Sequence, residues 1–231
     1  MYSIKAAGII TGGFAFLSMQ IKLQQVIPVF IEKEKTDHSK LWGQDIVFDK
    51  SSNVQIIAPS GSGKTSLVHF LYGLRKDYSG TILYDRDDIR DFDAERFSGW
   101  RQNHISVIFQ DLRLFGEQTV FENINIKRIL SPFHREDKIH SMAERLGIGN
   151  KITKPLKTCS YGEQQRIAII RSLMQPFDFL LADEPFSHLD EQNRGKAMEL
   201  MQEEAAARNA GIILADLKRL DYFNAKEILH L

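Results

Sequence analysis

The stretch that decides the fold is Ala58-Pro59-Ser60-Gly61-Ser62-Gly63-Lys64-Thr65. The apolar residues Val54, Ile56 and Ile57 precede it, and apolar residues at helical spacing follow it from Leu67 to Leu74. A glycine-containing loop between a strand and a helix is the structural context of a phosphate-binding loop. Backbone N–H groups converge there on phosphate oxygens, and the helix N-terminus favours negative charge. We therefore predict a nucleoside triphosphate site, in preference to a chance Gly/Ser-rich surface turn.

Two side chains of this stretch have distinct expected tasks. Lys64 is expected to reach the β- and γ-phosphates, and the Thr65 hydroxyl is expected to ligate Mg²⁺. The other residues expected to bind the nucleotide are Ser60, Gly61, Ser62, Gly63 and Ser66.

The composition is typical of a soluble globular protein, and 231 residues suffice for one large domain or two lobes that share a sheet. Thirty basic residues balance thirty acidic ones, so the charge gives no indication of nucleic-acid binding. The single cysteine, Cys159, excludes an intrachain disulfide framework and suits a reducing compartment. No stretch reaches the roughly 20 apolar residues of a membrane span.

Residues 1–19 are predicted to lie outside the folded domain, which is predicted over 20–231. The segment from Ile4 to Leu17 is apolar and glycine-rich, but no small-residue cleavage site of a signal peptide is evident. We expect a disordered arm or a mis-assigned extension, with Met19 as an alternative start.

Four strands are predicted before the phosphate loop, over 21–23, 26–31, 45–48 and 54–57. The charged stretch 32–40 is predicted to be a solvated hairpin loop. Phe30 ends the second predicted strand, where its ring is placed to stack on an adenine. Periodicity alone leaves open the alternative that Phe30 belongs to the core.

Further strands are predicted over 78–85 (opened by a turn), 105–109, 179–184, 211–215 and 227–231, and a helix is predicted from Ser187. Gln110 follows the strand 105–109, at the carboxyl end where open α/β sheets place their ligands. Its amide either contacts Mg²⁺ or the attacking water, or it caps a loop. Residues 119–174 are expected to form an inserted helical lobe, with helices over 120–130 and 135–146.

A helix is predicted to begin after Cys159. Ser160 is a suitable N-cap, and Glu163 lies three residues on, which is a capping box. This structural role alone would explain both residues. A serine and Gly162 at a helix N-terminus also suit a second anion site.

Two adjacent carboxylates, Asp183 and Glu184, end a predicted apolar strand. Successive residues of a strand point in opposite directions, so the two acids are expected to have different tasks. Asp183 suits a water-mediated contact with Mg²⁺, and Glu184 suits polarising the water that attacks the γ-phosphate. The catalytic residues predicted from the sequence are Glu184, Gln110 and Lys64.

Residues 20–231 resemble the nucleotide-binding subunits of ATP-binding-cassette (ABC) transporters, and the resemblance rests on several ordered motifs. These are the Walker A loop at 58–65, the Q-loop glutamine at Gln110, the signature at 159–166, Walker B at 180–184, the D-loop at 187–190 and an adenine-stacking aromatic at Phe30. The stretches 109–111 and 119–123 are most similar to a bacterial subgroup that serves lipoprotein release, macrolide export and cell division.

The resemblance implies an α/β fold of the P-loop NTPase type, with a mostly parallel core sheet, a small antiparallel β-subdomain and the helical lobe. It implies ATP and Mg²⁺ as cofactors. The implied metal ligands are Thr65, Gln110 and Asp183, and the implied signature contacts to nucleotide are Ser160, Gly162 and Glu163. Such subunits pair head to tail, here as a homodimer or with a second nucleotide-binding subunit. They dock on a transmembrane permease subunit, which implies a cytoplasmic protein that is peripheral on the inner face of the cell membrane.

Three residues depart from the family pattern. Ala58 replaces the first glycine of Walker A, which the motif permits. Tyr161 replaces the first signature glycine, where a small residue lets the backbone approach phosphate closely. Ala215 stands where the family has a switch histidine before an aspartate, and alanine cannot hydrogen bond to a γ-phosphate. The following aspartate, Asp216, would repel the γ-phosphate if its side chain pointed there.

Two functions therefore remain open from the sequence. The chain is either a working ATPase motor of a membrane complex, which the intact Glu184 favours, or a nucleotide-gated scaffold with slow or absent hydrolysis. Ala215 and Tyr161 favour the scaffold.

Overall fold

The computed structural model describes residues 19–32, 36 and 39–231. The extension predicted over 1–19 lies outside the described residues except for Met19. Most of the charged loop predicted over 32–40 also lies outside them.

The described residues form alternating strands and helices. In chain order these are β1 (Gln20–Pro28), β2 (Asp45–Asp49), β3 (Val54–Ile57), α1 (Lys64–Leu71), β4 (Tyr78–Tyr84), β5 (Asp87–Asp88), α2 (Ala94–Asn103), β6 (Ile105–Ile108), α3 (Val120–Leu130), α4 (Asp137–Arg145), α5 (Tyr161–Leu173), β7 (Phe179–Asp183), α6 (Glu191–Ala207), β8 (Gly211–Asp216) and β9 (Glu227–His230). Short 3-10 turns lie at Ile89–Asp91, Gly149–Lys151 and Leu156–Thr158.

The strands divide between two sheets, which confirms the predicted fold class. One sheet has the order β6-β7-β8-β3-β9, and all its pairings are parallel. The other has the order β2-β1-β4-β5, and all its pairings are antiparallel. Strand β7 is buried along its whole length, as expected for a parallel strand with both faces covered.

The parallel sheet brings the ends of four strands to one edge. The phosphate loop follows β3, Gln110 follows β6 by one intervening residue, Glu184 follows β7, and Asp216 ends β8. Because parallel strands all end at the same edge, residues far apart in sequence meet there.

The two strands predicted over 21–23 and 26–31 are one strand, β1, interrupted by a bulge between Gln24 and Ile27. The bulge places Gln25 at a φ of 51°. Opposite it, a Cβ on Gly80 would lie 2.4 Å from the Gln25 carbonyl oxygen, so only glycine fits there. Phe30 lies in the turn after β1 and not in a strand, since the sheet pairing ends at Pro28.

Helix α2 was not predicted from the sequence. Asp93 caps the helix by accepting a hydrogen bond from the Arg96 backbone N–H, but Phe97 is its one buried residue. A helix that buries so little has almost no apolar periodicity to detect. The stretch 78–85 was predicted to open with a turn, but strand β4 begins at Tyr78 itself.

Helices α3, α4 and α5 fall within the stretch predicted for the helical lobe. Helix α3 has the predicted bounds, and Thr119 and Glu122 form a capping box at its start. Cys159, just before α5, is buried in the hydrophobic cluster that these helices share with one face of the parallel sheet. None of the helices among the described residues is long and apolar enough to cross a membrane.

Candidate functional site

Two glycines and a tryptophan fix the shape of the phosphate loop. Gly61 and Gly63 have φ angles of 81° and 99°, which favour glycine. A Cβ on Gly63 would lie 2.9 Å from Ile31 Cδ1 and 3.2 Å from the Trp42 ring. The Trp42 indole N–H also donates to the Ser62 carbonyl oxygen at 3.2 Å. Residues of the segment between β1 and β2 therefore pack against the phosphate loop.

Lys64 begins α1 and is only 4% exposed. Its ammonium donates to the carbonyl oxygens of Ala58 at 2.8 Å and Pro59 at 3.0 Å. It also lies 3.4 Å from the Glu184 carboxylate oxygen Oε1. The phosphate loop and the end of β7 thus share one buried cation.

Gln110 connects the phosphate loop to Glu184. Its amide oxygen lies 3.4 Å from the Thr65 hydroxyl, which donates to it. Its amide nitrogen donates to Glu184 Oε2 at 3.5 Å. The structure therefore brings Lys64, Thr65, Gln110 and Glu184 together, although they are spread over about half of the chain.

Asp183 ends β7 beside this cluster and is 1% exposed. Burial raises the pKa of Asp183 to about 6; the Thr65 hydroxyl opposes this effect, and the charge of Glu184 adds to it. The Oδ1 atom is buried and has no hydrogen-bond partner among the described residues. A buried carboxylate oxygen that lacks a partner, beside a hydroxyl that also contacts the Gln110 amide oxygen, fits a hard cation such as Mg²⁺.

Glu184 is held by its backbone as well as by its side chain. Its φ of 45° is unusual for a residue other than glycine, and its N–H donates to the Ala215 carbonyl oxygen at 2.9 Å. The buried amide of Gln165, on α5, donates to the Glu184 carbonyl oxygen at 3.3 Å and accepts from the His188 N–H at 3.0 Å. This contact was not predicted, because nothing in a helical glutamine reveals its distant partners.

The predicted signature residues lie at the start of α5. Ser160 and Glu163 form the predicted capping box, and Lys151 lies 3.3 Å from the Glu163 carboxylate. A Cβ on Gly162 would lie 2.9 Å from the His188 carbonyl oxygen, so a side chain there would displace that segment. Within the described part of the chain, none of these residues hydrogen bonds to the phosphate loop. They form a second, separate group.

The remaining predicted nucleotide contacts differ in their surroundings. Ser60 is exposed, whereas Ser66 is 8% exposed and its hydroxyl lies 3.3 Å from an Arg75 guanidinium nitrogen that donates to it. Phe30 is 50% exposed, and the Arg75 guanidinium lies 4.5 Å from its ring centroid. Phe30 is thus not a core residue, and about half of its surface is open to solvent.

The end of β8 carries Ala215, which the sequence predicts to stand in place of a family histidine. Ala215 is fully buried and packs in the cluster that contains Ile56 and Leu67. Asp216 lines a cavity of about 360 Å³ together with Glu184 and Arg194. Burial raises the pKa of Asp216, backbone hydrogen bonds from Leu217 and Lys218 oppose the rise, and the charge of Glu184 adds to it. Two carboxylates therefore face one cavity.

The comparisons with known proteins agree with this geometry. A family model described as "ABC transporter" matches residues 44–187. The lipoprotein-releasing system ATP-binding protein LolD of Legionella pneumophila (strain Lens) is 32% identical over 177 residues, which cover 75% of this chain and 78% of that protein. The macrolide export ATP-binding/permease protein MacB of Nitrosomonas europaea is 30% identical over 184 residues, 78% of this chain but 28% of that protein.

Solved structures show the same fold. A bacterial ABC transporter cassette solved as a dimer superposes with a TM-score of 0.79 at 22% identity, covering 91% of this chain and 94% of that chain. A dimeric post-hydrolysis state of that cassette, bound to ADP and Pi, gives a TM-score of 0.77 at 23% identity, with the same coverage of 91% and 94%. From the family match, the relatives and the order of the motifs along the fold, the chain belongs to the ABC transporter family as an ATP-binding cassette.

Proposed function

We propose that the chain binds and hydrolyses Mg-ATP as the motor subunit of a transporter-type membrane complex. The observation that carries this proposal is the position of the Glu184 carboxylate. It contacts Lys64 through one oxygen and Gln110 through the other. A base is thereby placed between a phosphate-binding cation and an amide suited to orient water.

In the proposed chemistry, Lys64, Glu184 and Gln110 each have a separate task at the γ-phosphate. The ammonium of Lys64 binds the β- and γ-phosphates and so leaves the Glu184 carboxylate free. Glu184 then accepts a proton from a water that Gln110 orients. The water oxygen attacks the γ-phosphorus, the bond to the β–γ bridging oxygen breaks, and the products are ADP and inorganic phosphate.

Asp183, Thr65 and Gln110 are the residues that would hold Mg²⁺. The bound ion would neutralise charge on the β- and γ-phosphate oxygens. Asp183 contributes a buried carboxylate, Thr65 a hydroxyl and Gln110 an amide oxygen, all of which are oxygen donors that Mg²⁺ prefers. Phe30 would supply its exposed ring to the adenine, and the backbone N–H groups of 60–66 would bind the phosphates.

The assembly that we propose is a head-to-tail dimer, either a homodimer or a pair with a second nucleotide-binding subunit. Ser160, Gly162 and Glu163 of each subunit would then contact the nucleotide bound by its neighbour. The dimer would dock on a transmembrane permease subunit and lie on the cytoplasmic face of the membrane. Support comes from the relatives, one named as an ATP-binding protein of a releasing system and one as an ATP-binding/permease protein.

A nucleotide-gated scaffold is the second candidate function. It is favoured by Ala215, which cannot donate to a phosphate, and by the negative charge of Asp216 in the Glu184 cavity. Loss of one preorganised donor to developing charge costs roughly 10²-fold or more in rate. A scaffold would bind ATP and assemble without completing turnover.

Turnover of Mg-ATP by the native protein and by Glu184→Gln separates the two functions. A motor loses turnover in the variant, and the variant elutes from size exclusion as a dimer only when ATP is present. Glu227→Gln is the matched control, because it changes an exposed carboxylate on β9 in the same way. ATP binding without turnover in all three proteins, with membranes containing the partner present, would rule out the motor.

A further inference from the structure

Helix α5 contacts the loop that carries Gln110 at two separate points. At the start of the helix, the Tyr161 hydroxyl donates to the Gln110 carbonyl oxygen at 3.2 Å. Three turns later, the Arg171 guanidinium donates to the carbonyl oxygens of Leu112 at 2.6 Å and Arg113 at 2.7 Å. We refer to residues 110–113 as the Gln110 loop. One helix therefore binds the beginning and the end of this loop.

The Gln110 loop has a backbone conformation that needs such support. Leu112 and Arg113 have φ angles of 58° and 47°, in the left-handed region that residues other than glycine rarely adopt. Two successive residues of this kind persist only where the surroundings hold them. Arg171 binds both of their carbonyl oxygens, and Leu112 is buried at 3% exposure.

The ring of Tyr161 is fixed by the segment that follows Glu184. It makes an edge-on contact with the His188 ring, with 4.3 Å between the centroids. The His188 backbone N–H in turn donates to Gln165 on α5. The hydroxyl of Tyr161 is thus directed at the Gln110 loop by a contact that does not involve the hydroxyl itself.

We propose that Tyr161 is a positioning residue, whose hydroxyl holds the Gln110 loop so that the Gln110 amide lies between Thr65 and Glu184. The residue that departs from the signature pattern thereby connects the start of α5 to the candidate hydrolytic site within one chain. This inference rests on the proposed function for its effect on catalysis. The effect of the Tyr161 hydroxyl on the conformation of the Gln110 loop does not depend on turnover.

Tyr161→Phe tests the proposal, because it removes the hydroxyl and keeps the ring against His188. Two quantities are measured: backbone hydrogen exchange of the peptide spanning 109–115, without nucleotide, and kcat and KM for Mg-ATP. We expect exchange to accelerate about fivefold, the factor for one hydrogen bond of ordinary net strength. We expect kcat to fall by about the same factor, with KM changed less than about twofold, because Lys64 and the phosphate loop are unaltered.

Tyr84→Phe is the matched control. The Tyr84 hydroxyl is buried and has no hydrogen-bond partner among the described residues, so its removal leaves the Gln110 loop untouched. Unchanged exchange in Tyr161→Phe, or faster exchange with an unchanged kcat, overturns the proposal. If the native protein shows no turnover, the motor function fails, and the exchange comparison alone decides whether Tyr161 holds the loop.

Discussion

The Lys64 ammonium lies 3.4 Å from Glu184 Oε1 and donates to two carbonyl oxygens of its own loop. The cation that is proposed to bind phosphate and the base that is proposed to activate water therefore neutralise each other. A phosphate that binds Lys64 must displace this contact, so binding and activation of the base are linked through one side chain.

Replacement of Lys64 by alanine should weaken ATP binding about 10- to 100-fold, since charge-assisted hydrogen bonds to phosphate are among the strong ones. Isothermal titration calorimetry with ATP measures the loss. Lys196→Ala is the control, because Lys196 is an exposed lysine on α6. An affinity equal to that of the native protein would show that Lys64 does not bind the phosphates.

Asp183→Asn should lower the affinity for Mg²⁺ about 10- to 100-fold, the usual cost of losing a group that orients metal-bound ligands. The measurement is a magnesium titration of ATP binding, with a sample in EDTA as the zero point. Asp45→Asn, at an exposed aspartate of β2, should titrate like the native protein. If Asp183→Asn kept the native magnesium dependence, Asp183 would not serve the ion.

Asp216→Asn should stabilise the fold at neutral pH. Burial raises the pKa of Asp216 in the folded state, so its charged form costs stability once the pH exceeds the ordinary value of 3.8. The side-chain amide of the variant carries no charge and so no such cost. The melting temperature of the variant should therefore exceed that of the native protein by about 2 °C at pH 7. Below pH 3.8 the native carboxyl is protonated and the gain should vanish. A gain that is independent of pH would have another cause.

Glu204, on α6, lies in a buried charged cluster away from the nucleotide site. It is 5% exposed, and its carboxylate contacts Arg208 and His134 at 2.6 Å each and Lys138 at 3.1 Å. Burial alone raises the pKa of Glu204, but hydrogen bonds from His134 and Arg208 overcome that effect and lower the pKa to about 2. The cluster therefore stabilises the fold only when the carboxylate is ionised.

Glu204→Gln should lower the unfolding free energy by about 3 kcal/mol at pH 7, which is the value of a shift of this size. The stabilisation is present above the ordinary pKa of 4.5 and is lost as the pH falls towards 2. The difference between the native protein and the variant should therefore shrink over that interval in urea unfolding. Glu203→Gln is the control, because that exposed partner of Arg145 should contribute little.

Local signals made much of the fold predictable. The strand, loop and helix around Lys64 are contiguous in sequence, and so is the capping box of Ser160 and Glu163. Strand β7 shows as an uninterrupted apolar run that ends in Asp183. In each case the residues that determine the structure lie within a few positions of one another, so a short stretch of sequence contains the whole pattern.

What the sequence did not reveal depends on partners far along the chain. The bulge at Gln25 requires Gly80 on the neighbouring strand, and without that pairing β1 reads as two strands. The contact between Tyr161 and Gln110 spans 51 positions. The sequence marked this tyrosine as a departure from the family pattern, but only the fold shows what its hydroxyl binds.

The buried position of Cys159 has a practical consequence. It is the sole cysteine of the chain, it is 7% exposed, and it directly precedes the residue that caps α5. Burial raises the pKa of its thiol, so little reactive thiolate is present at neutral pH. The protein therefore carries a native chemical reporter: its rate of alkylation measures how often the start of α5 opens. Because the buried thiol reacts slowly, spectroscopic labels can be attached selectively to cysteines introduced at the surface, and Cys159 need not be removed.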